Sequence, residues 1–294
     1  MNKKIGIGKA HSKIILMGEH SVVYGYPAIA LPLKDIEVTC CIKEAQENLT
    51  FDFYDTLSTA IYAALDYLQI KEKPITYKIK SQVPQKRGMG SSAAVSIATI
   101  RAVFDYFDQE ITDDLLEILV NKAEIIAHTN PSGLDAKTCL SDHAIKFIRN
   151  VGFDTININL DAYLVIADTG IHGQTREAVA KVAQFEELNL PHLEKLGQLT
   201  EKVELAIATK AIHDIGACMT MAHESLKAIG VSVEKSNDLV SIALASGALG
   251  AKMSGGGLGG CIIALTDSKE TAKNVSQELR KGGAVNTWIQ TLSQ

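Results

Sequence analysis

No stretch of this chain is apolar for long enough to span a bilayer, which excludes a membrane-inserted helix on length alone. The N-terminus lacks the apolar block of a secretory signal, because Gly6, Gly8, Lys9, His11 and Ser12 interrupt it, so a protein that is not secreted is expected. There is no excess of positive charge. Lys and Arg number 29 against 34 Asp and Glu, a net charge of −5, whereas a general nucleic-acid binder needs a basic face. The five cysteines are an odd number with no Cys-x-x-Cys spacing, and Cys40 and Cys41 are adjacent. They read as reduced thiols of a cytoplasmic protein, with no zinc site. Walker A and dinucleotide-binding spacings are both missing, as are low-complexity segments and internal repeats.

What is present is a chain of 294 residues, 46% hydrophobic, able to bury one large core or two ordinary ones. Short β-branched runs broken by Gly or Pro predict strands over Lys4 to Ala10, Lys13 to Met17, Ile36 to Ile42 and Ile75 to Ile79. Periodic, Ala-rich segments predict helices over Leu57 to Leu68 and Ala93 to Phe107. Another is expected over Asp113 to His128 behind an N-cap at Thr112, ending near Asn130 because Pro131 disfavours helical geometry before it. Strands follow at Ala144 to Ile148, Thr155 to Leu160 and Ala162 to Ala167. Arg176 to Ser246 is helical in pattern, and a glycine loop, a strand at Cys261 to Leu265, a helix at Lys269 to Lys281 and a strand near Ala284 to Thr291 close the chain. This order predicts an α+β protein of two domains, residues 1–161 and 162–294.

Four segments carry candidate chemistry. In Pro84-Gln85-Lys86-Arg87-Gly88-Met89-Gly90-Ser91-Ser92-Ala93 a glycine turn opens a helix, with Ser91 and Ser92 expected to supply hydroxyls and the N-cap. Bare N–H groups at the positive end of a helix suit a phosphate, although alone such a turn is more often an ordinary helix start. A second glycine run, Lys252-Met253-Ser254-Gly255-Gly256-Gly257-Leu258-Gly259-Gly260, serves either a shared anionic ligand or close packing of two domains. Glu124 and His128 share a helix face, and the Asn130-Pro131-Ser132-Gly133 turn can return Asp135 to it. Two carboxylates there would hold Mg²⁺ and accept a proton, against the plainer reading of Glu124 as a surface ion pair and Asp135 as a helix cap. His128 is assigned no chemistry. Lastly, Lys13 heads an apolar strand that ends in Gly18-Glu19-His20, and Lys13 there either enters a site or snorkels to solvent.

In this order the four segments resemble the GHMP small-molecule kinases over almost the whole chain, and within them the branch that phosphorylates mevalonate. The most specific part is Lys13 followed by Gly18-Glu19-His20-Ser21-Val22-Val23-Tyr24-Gly25. Galactokinases carry an Asn-rich Gly-Glu-His-Thr-Asp-Tyr run there, and kinases of phosphomevalonate usually have Tyr in place of His20. Lys86 and Arg87 depart from the family pattern, which has a glycine and a small residue at these places. The resemblance implies an N-terminal domain like the second domain of ribosomal protein S5 and a ferredoxin-like C-terminal domain. It implies transfer of the ATP γ-phosphate to the C5 hydroxyl of mevalonate, with ATP and Mg²⁺ required. By the same resemblance Asp135 and Lys13 are catalytic, Gly88, Met89, Gly90, Ser91, Ser92 and Ala93 hold the phosphates, and Glu124 with Ser91 or Ser92 holds Mg²⁺. Ser254, Gly255, Gly256 and Gly257 support the phosphate loop, and Glu19 and His20 orient the substrate. Arg149 is the cation chosen for the substrate carboxylate on charge and position, against an ordinary surface arginine. The expected partner is a small molecule, with neither nucleic acid nor membrane, and the helical region Arg176 to Ser246 either covers the site or forms a homodimer contact. Other acceptors of the family, phosphomevalonate, homoserine or a sugar, and a nonenzymatic metabolite sensor of the same fold are the rivals. Retention of Lys13, Glu124 and Asp135 favours an active kinase.

Overall fold

A computed structural model describes residues 4–50, 52, 55–71, 74–128 and 133–293. The chain forms two compact units, each assembled from separate stretches. One comprises residues up to Lys13, Pro32–Gln85 and Gly90–Asp142, and the other Ile14–Leu31, Lys86–Met89 and His143 onward.

In the first unit, strand β1 (Ile5–Met17) lies beside β2 (Ala28–Glu44), and both strands contribute to the two units. The two strands expected at Lys4 to Ala10 and Lys13 to Met17 are thus one, since His11 and Ser12 continue the extended backbone. Within this unit β2 pairs antiparallel with β3 (Ile75–Ser81), from Val38 opposite Ser81 to Glu44 opposite Ile75. Helices α1 (Thr56–Tyr67), α2 (Ser91–Tyr106), α3 (Asp113–His128) and α4 (Leu134–Leu140) pack together. Asp55 caps α1 by accepting from the Ser58 amide, and Thr112 accepts from the Leu115 amide at the start of α3. Ile61, Ile97, Ile100, Phe104, Leu116 and Val120 are buried, each about 1% exposed or less. The N-cap of α2 is Gly90 rather than Ser91 or Ser92, because a left-handed φ of 68° at Gly90 turns the chain one residue earlier than expected. The expected stop near Asn130 and the turn through Pro131 and Ser132 lie outside the described residues.

In the second unit the first residues of β2 pair with β4 (Ala144–Ile148), which pairs with β5. The latter spans Gly152–Ile156, ahead of the expected Thr155 to Leu160, because a tight turn through Asn150 at φ 65° starts it early. A four-stranded antiparallel sheet follows, built from β6 (Tyr163–Asp168), β7 (Gly250–Ser254), β8 (Cys261–Thr266) and β9 (Asn286–Thr291), in the order β7-β8-β6-β9. Its β7 occupies residues expected to begin the glycine loop. Between β6 and β7 run α5 (Thr175–Gln184), α6 (Glu186–Ala208), α7 (Ile212–Ala228) and α8 (Glu234–Ala245), and α9 (Lys269–Lys281) joins β8 to β9. A strand–helix–strand–strand–helix–strand order with the first and third strands central is the ferredoxin-like arrangement. Val165, Ala167, Ile262 and Ala264 of the sheet pack under Leu239, Val240 and Ala243 of α8 and Ala272, Val275 and Leu279 of α9. At about 25 cal/mol per Å² of apolar surface, burial of this kind is the main stabilising contribution. Among the described residues no helix is long and apolar enough to cross a membrane, and all five cysteines are free thiols.

Candidate active site

In the first unit the side chain of Lys13 on β1 is 2% exposed, and its ammonium lies 2.8 Å from Asp135 Oδ1 on the first turn of α4. Lys13 therefore does not snorkel to water. Asp135 is not the cap of its helix, since the N-cap is Gly133, and its side chain is 45% exposed. Gly90 makes room for the lysine: a Cβ there would sit 2.8 Å from Lys13 Cγ and 3.1 Å from Cys139 Sγ. Burial first, then the neighbouring Asp135, push the Cys139 thiol above its ordinary pKa, so it stays protonated beside the pair.

From Gly90 the chain enters α2, and no side chain caps the helix start, which leaves first-turn N–H groups directed outward with the positive end of the dipole. The Ser92 hydroxyl donates to Glu124 Oε1 at 2.6 Å. Glu124 is buried on α3, 3% exposed, and is not a surface residue. A carboxylate and a hydroxyl are hard oxygen donors of the kind Mg²⁺ takes, with phosphate oxygens and water completing its octahedron. Among the described residues no group of three or more His, Cys, Asp and Glu side chains gathers as a metal cluster, so any cation here would depend on its ligand for coordination. Ser91 opens the helix half-buried, and Ala93 is buried behind it.

The second unit holds Glu19 and His20. The Ser21 amide donates to the Glu19 carbonyl at 2.7 Å across His20, whose backbone is at φ 61°, ψ −46°. That is a γ-turn of the rare positive-φ kind, and such a conformation in a non-glycine residue costs roughly 1–3 kcal/mol. The ring is held from the other side: His20 Nε2–H donates to the Gly256 carbonyl at 3.0 Å. Burial lowers the His20 pKa to about 4, against a smaller opposing effect of this hydrogen bond, so the ring is neutral near pH 7. The carboxylate of Glu19, 1% exposed, pairs with Lys252 on β7, which has no exposure at all and also donates to the Met253 carbonyl at 2.8 Å. Removing one partner of such a pair costs about 3–5 kcal/mol, because the other is left as a bare buried charge. Burial lowers the Lys252 pKa and Glu19 opposes that shift. His223 on α7 accepts from the Met253 amide at 3.3 Å, and burial together with the Lys252 charge lowers its pKa to about 4.

Two glycine loops meet within this unit. A Cβ on Gly88 would lie 3.0 Å from Gly255 Cα, and the Lys86 carbonyl accepts from the Gly173 amide at 2.8 Å. Arg87 reaches Asp168 at the end of β6, Nε to Oδ1 2.6 Å, and Nη2 donates to the Gly170 carbonyl at 3.1 Å. Met89 is fully buried beside this loop in sequence, and Ser254 spends its hydroxyl on the Ile15 carbonyl at 2.7 Å. Gly257 follows at φ 90° in the same loop. Arg149 is exposed in the turn after β4, not on the strand, and donates to the Val23 carbonyl at 2.9 Å. Sequence reasoning singled out neither Lys252 nor Asp168 nor His223. The available signal was a lysine flanked by Ala251 and Met253 in an otherwise apolar strand, a place where an unpaired charge is not tolerated.

The family model described as the GHMP kinases N terminal domain matches residues 56–142, and that of the GHMP kinases C terminal matches residues 203–285. Mevalonate kinase of Thermococcus sibiricus is 32% identical over 96% of this chain and 96% of its own length. The chain belongs to the GHMP kinase family. Among solved GHMP kinases, the crystal structure of mevalonate kinase from methicillin-resistant Staphylococcus aureus is 30% identical, covers 99% of this chain and 100% of its own, and superposes with a TM-score of 0.78. Mevalonate kinase of L. major in complex with R-mevalonate is 25% identical over 100% of this chain and 97% of its own, with a TM-score of 0.86. The architecture is therefore the two-domain GHMP kinase fold, mixed in helix and sheet.

Proposed function

We propose that the chain is a mevalonate kinase, moving the γ-phosphate of MgATP to the C5 hydroxyl of mevalonate to give 5-phosphomevalonate and ADP. The observation that carries the chemistry is the Lys13–Asp135 pair at 2.8 Å, a buried ammonium against a carboxylate open to solvent. The choice of acceptor rests on full-length similarity to proteins named mevalonate kinase and on His20 in the Gly18-Glu19-His20 turn.

Phosphoryl transfer is mostly positioning and charge neutralisation. In this reading the open oxygen of Asp135 accepts the proton of the C5 hydroxyl, and Lys13 stabilises negative charge on the attacking oxygen. The N–H groups of Gly88 to Ala93 hold the β- and γ-phosphates, and Ser254 to Gly257 keep the backbone around Gly88 in place. Glu124 with Ser92, or with Ser91, would hold Mg²⁺, which when bound neutralises phosphate charge. Neutral His20 and Glu19 orient mevalonate, and Arg149, released from the Val23 carbonyl, is offered for its carboxylate. The same reading puts the chain in the cytoplasm without a nucleic-acid or membrane partner. It offers α6, where Leu188 and Leu205 are exposed, as a homodimer contact that analytical ultracentrifugation tests.

Coupled ADP release with mevalonate, phosphomevalonate, homoserine and galactose in parallel tests the function. Turnover with mevalonate alone is expected. Turnover with another acceptor would overturn the substrate, and ATP binding without turnover on any would favour a sensor.

A further inference from the structure

Lys252 has no part in the reaction just described, yet it is among the largest fully buried side chains of the protein. Its ammonium spends its bonds on Glu19 Oε1 and on the Met253 carbonyl, while Glu19 Oε2 is buried without a hydrogen-bond partner. Apolar residues of similar volume would fill this space without desolvating two charges, so stability alone gives no reason for the pair. The neighbours of Lys252 supply one. Ser254, two residues on, bonds the Ile15 carbonyl of β1, and Gly256, two further, receives the His20 ring. Lys252 and Ser254, two apart on β7, thus grip Glu19 and Ile15 from one face of the strand, and the loop that follows holds His20 through the Gly256 carbonyl.

We infer that β7 and the loop after it clamp the strained turn at His20, and that Lys252 is a positioning residue which fixes one oxygen of Glu19 so that the other accepts a hydroxyl of the acceptor substrate. Lys252 touches no substrate and acts only through Glu19. The γ-turn sets the Glu19 and His20 side chains, and the clamp holds the first from β7 and the second from the loop that follows it. This assignment rests on the reading of Glu19 as a substrate contact.

A double-mutant cycle tests it, with steady-state kinetics of Lys252→Met, Glu19→Gln and the double variant, varying mevalonate and ATP separately. The expected result for Lys252→Met is a mevalonate KM raised about tenfold or more, the scale of one lost charge-assisted hydrogen bond, with the ATP KM within about twofold of the parent. Glu19→Gln behaves similarly, and the double variant is no worse than the worse single one, because both changes remove the same contact. An unchanged mevalonate KM in Lys252→Met, an equal rise in the ATP KM, or multiplying effects in the double variant would overturn the inference. Where Lys252→Met does not fold, the neutralised double variant is compared with Glu19→Gln alone: equal mevalonate KM supports the clamp and a further rise refutes it. Parent enzyme that turns over a different acceptor removes the mevalonate reading instead, and the same cycle on that acceptor still decides the role of Lys252.

Discussion

Lys13 and Lys252 are both buried lysines that face a carboxylate, and they differ in how far that carboxylate is sealed: Asp135 is 45% exposed and Glu19 1%. An ion pair whose carboxylate is open to solvent can pass a proton to or from something that arrives, with the buried ammonium held beside it. A pair with both ends sealed cannot change charge without stranding its partner, so its use is to fix geometry. The first unit of this chain carries the open kind and the second the sealed kind. In the proposed mechanism the burial of the acid, more than the distance to the lysine, separates the reacting pair from the supporting one.

The strongest test of this contrast is Asp135→Ala, expected to lower kcat by about 10²–10⁴-fold while ATP still binds, as measured by turnover and nucleotide titration. Unchanged turnover would take Asp135 out of the mechanism. Gly90→Ala comes next. Its methyl would crowd Lys13 at 2.8 Å and strain a left-handed φ of 68°, so kcat should drop by more than about tenfold with a lowered Tm. Wild-type kcat and Tm together would show that Lys13 has room to spare. His20→Ala should raise the mevalonate KM by about tenfold, the loss of one or two hydrogen bonds, and leave the ATP KM alone. A change confined to ATP would move His20 to the nucleotide side. A smaller effect is expected of Arg87→Ala, a rise of a few-fold in the ATP KM as the Lys86–Gly88 segment loses its anchor on Asp168.

The smallest effect is on stability against pH. His20 and His223 have pKa values lowered to about 4 from an ordinary 6.5, so below pH 6.5 the unfolded chain takes up protons that the fold refuses. Their contribution is complete above pH 6.5 and declines as pH falls towards 4. Urea unfolding at pH 7 and pH 5 should show a shallower decline in His223→Gln than in the parent, and equal declines would mean that His223 titrates normally in the fold.

Much of this could be read from the sequence where local chemistry decides. Helix α3 starts where expected and α9 has the expected bounds, since Thr112 and Ser268 cap them. That Lys13 and Asp135 share a site was implied by the family resemblance, and they form an ion pair within one compact unit. Interactions that join distant parts of the chain were not legible. The burial of Lys252 depends on Glu19, far away in sequence, and lysine alone reads as surface. The N-cap moved to Gly90 for a similar reason: the turn is set by what must fit against Lys13, which the Gly-x-Gly-Ser-Ser spacing does not encode. Nor does any local signal mark that each compact unit is assembled from separate stretches of chain.

The contact of Gly88 with Gly255 bears on how such a chain can diverge. Each position forbids a side chain at the other, since a Cβ at Gly255 would lie 2.8 Å from Gly88 Cα, and the obstacle is backbone, which no change of neighbouring rotamer removes. The two glycines therefore behave as one inherited character: a library that randomises either position returns glycine, and randomising both together rescues nothing. Variation in specificity must enter through other residues.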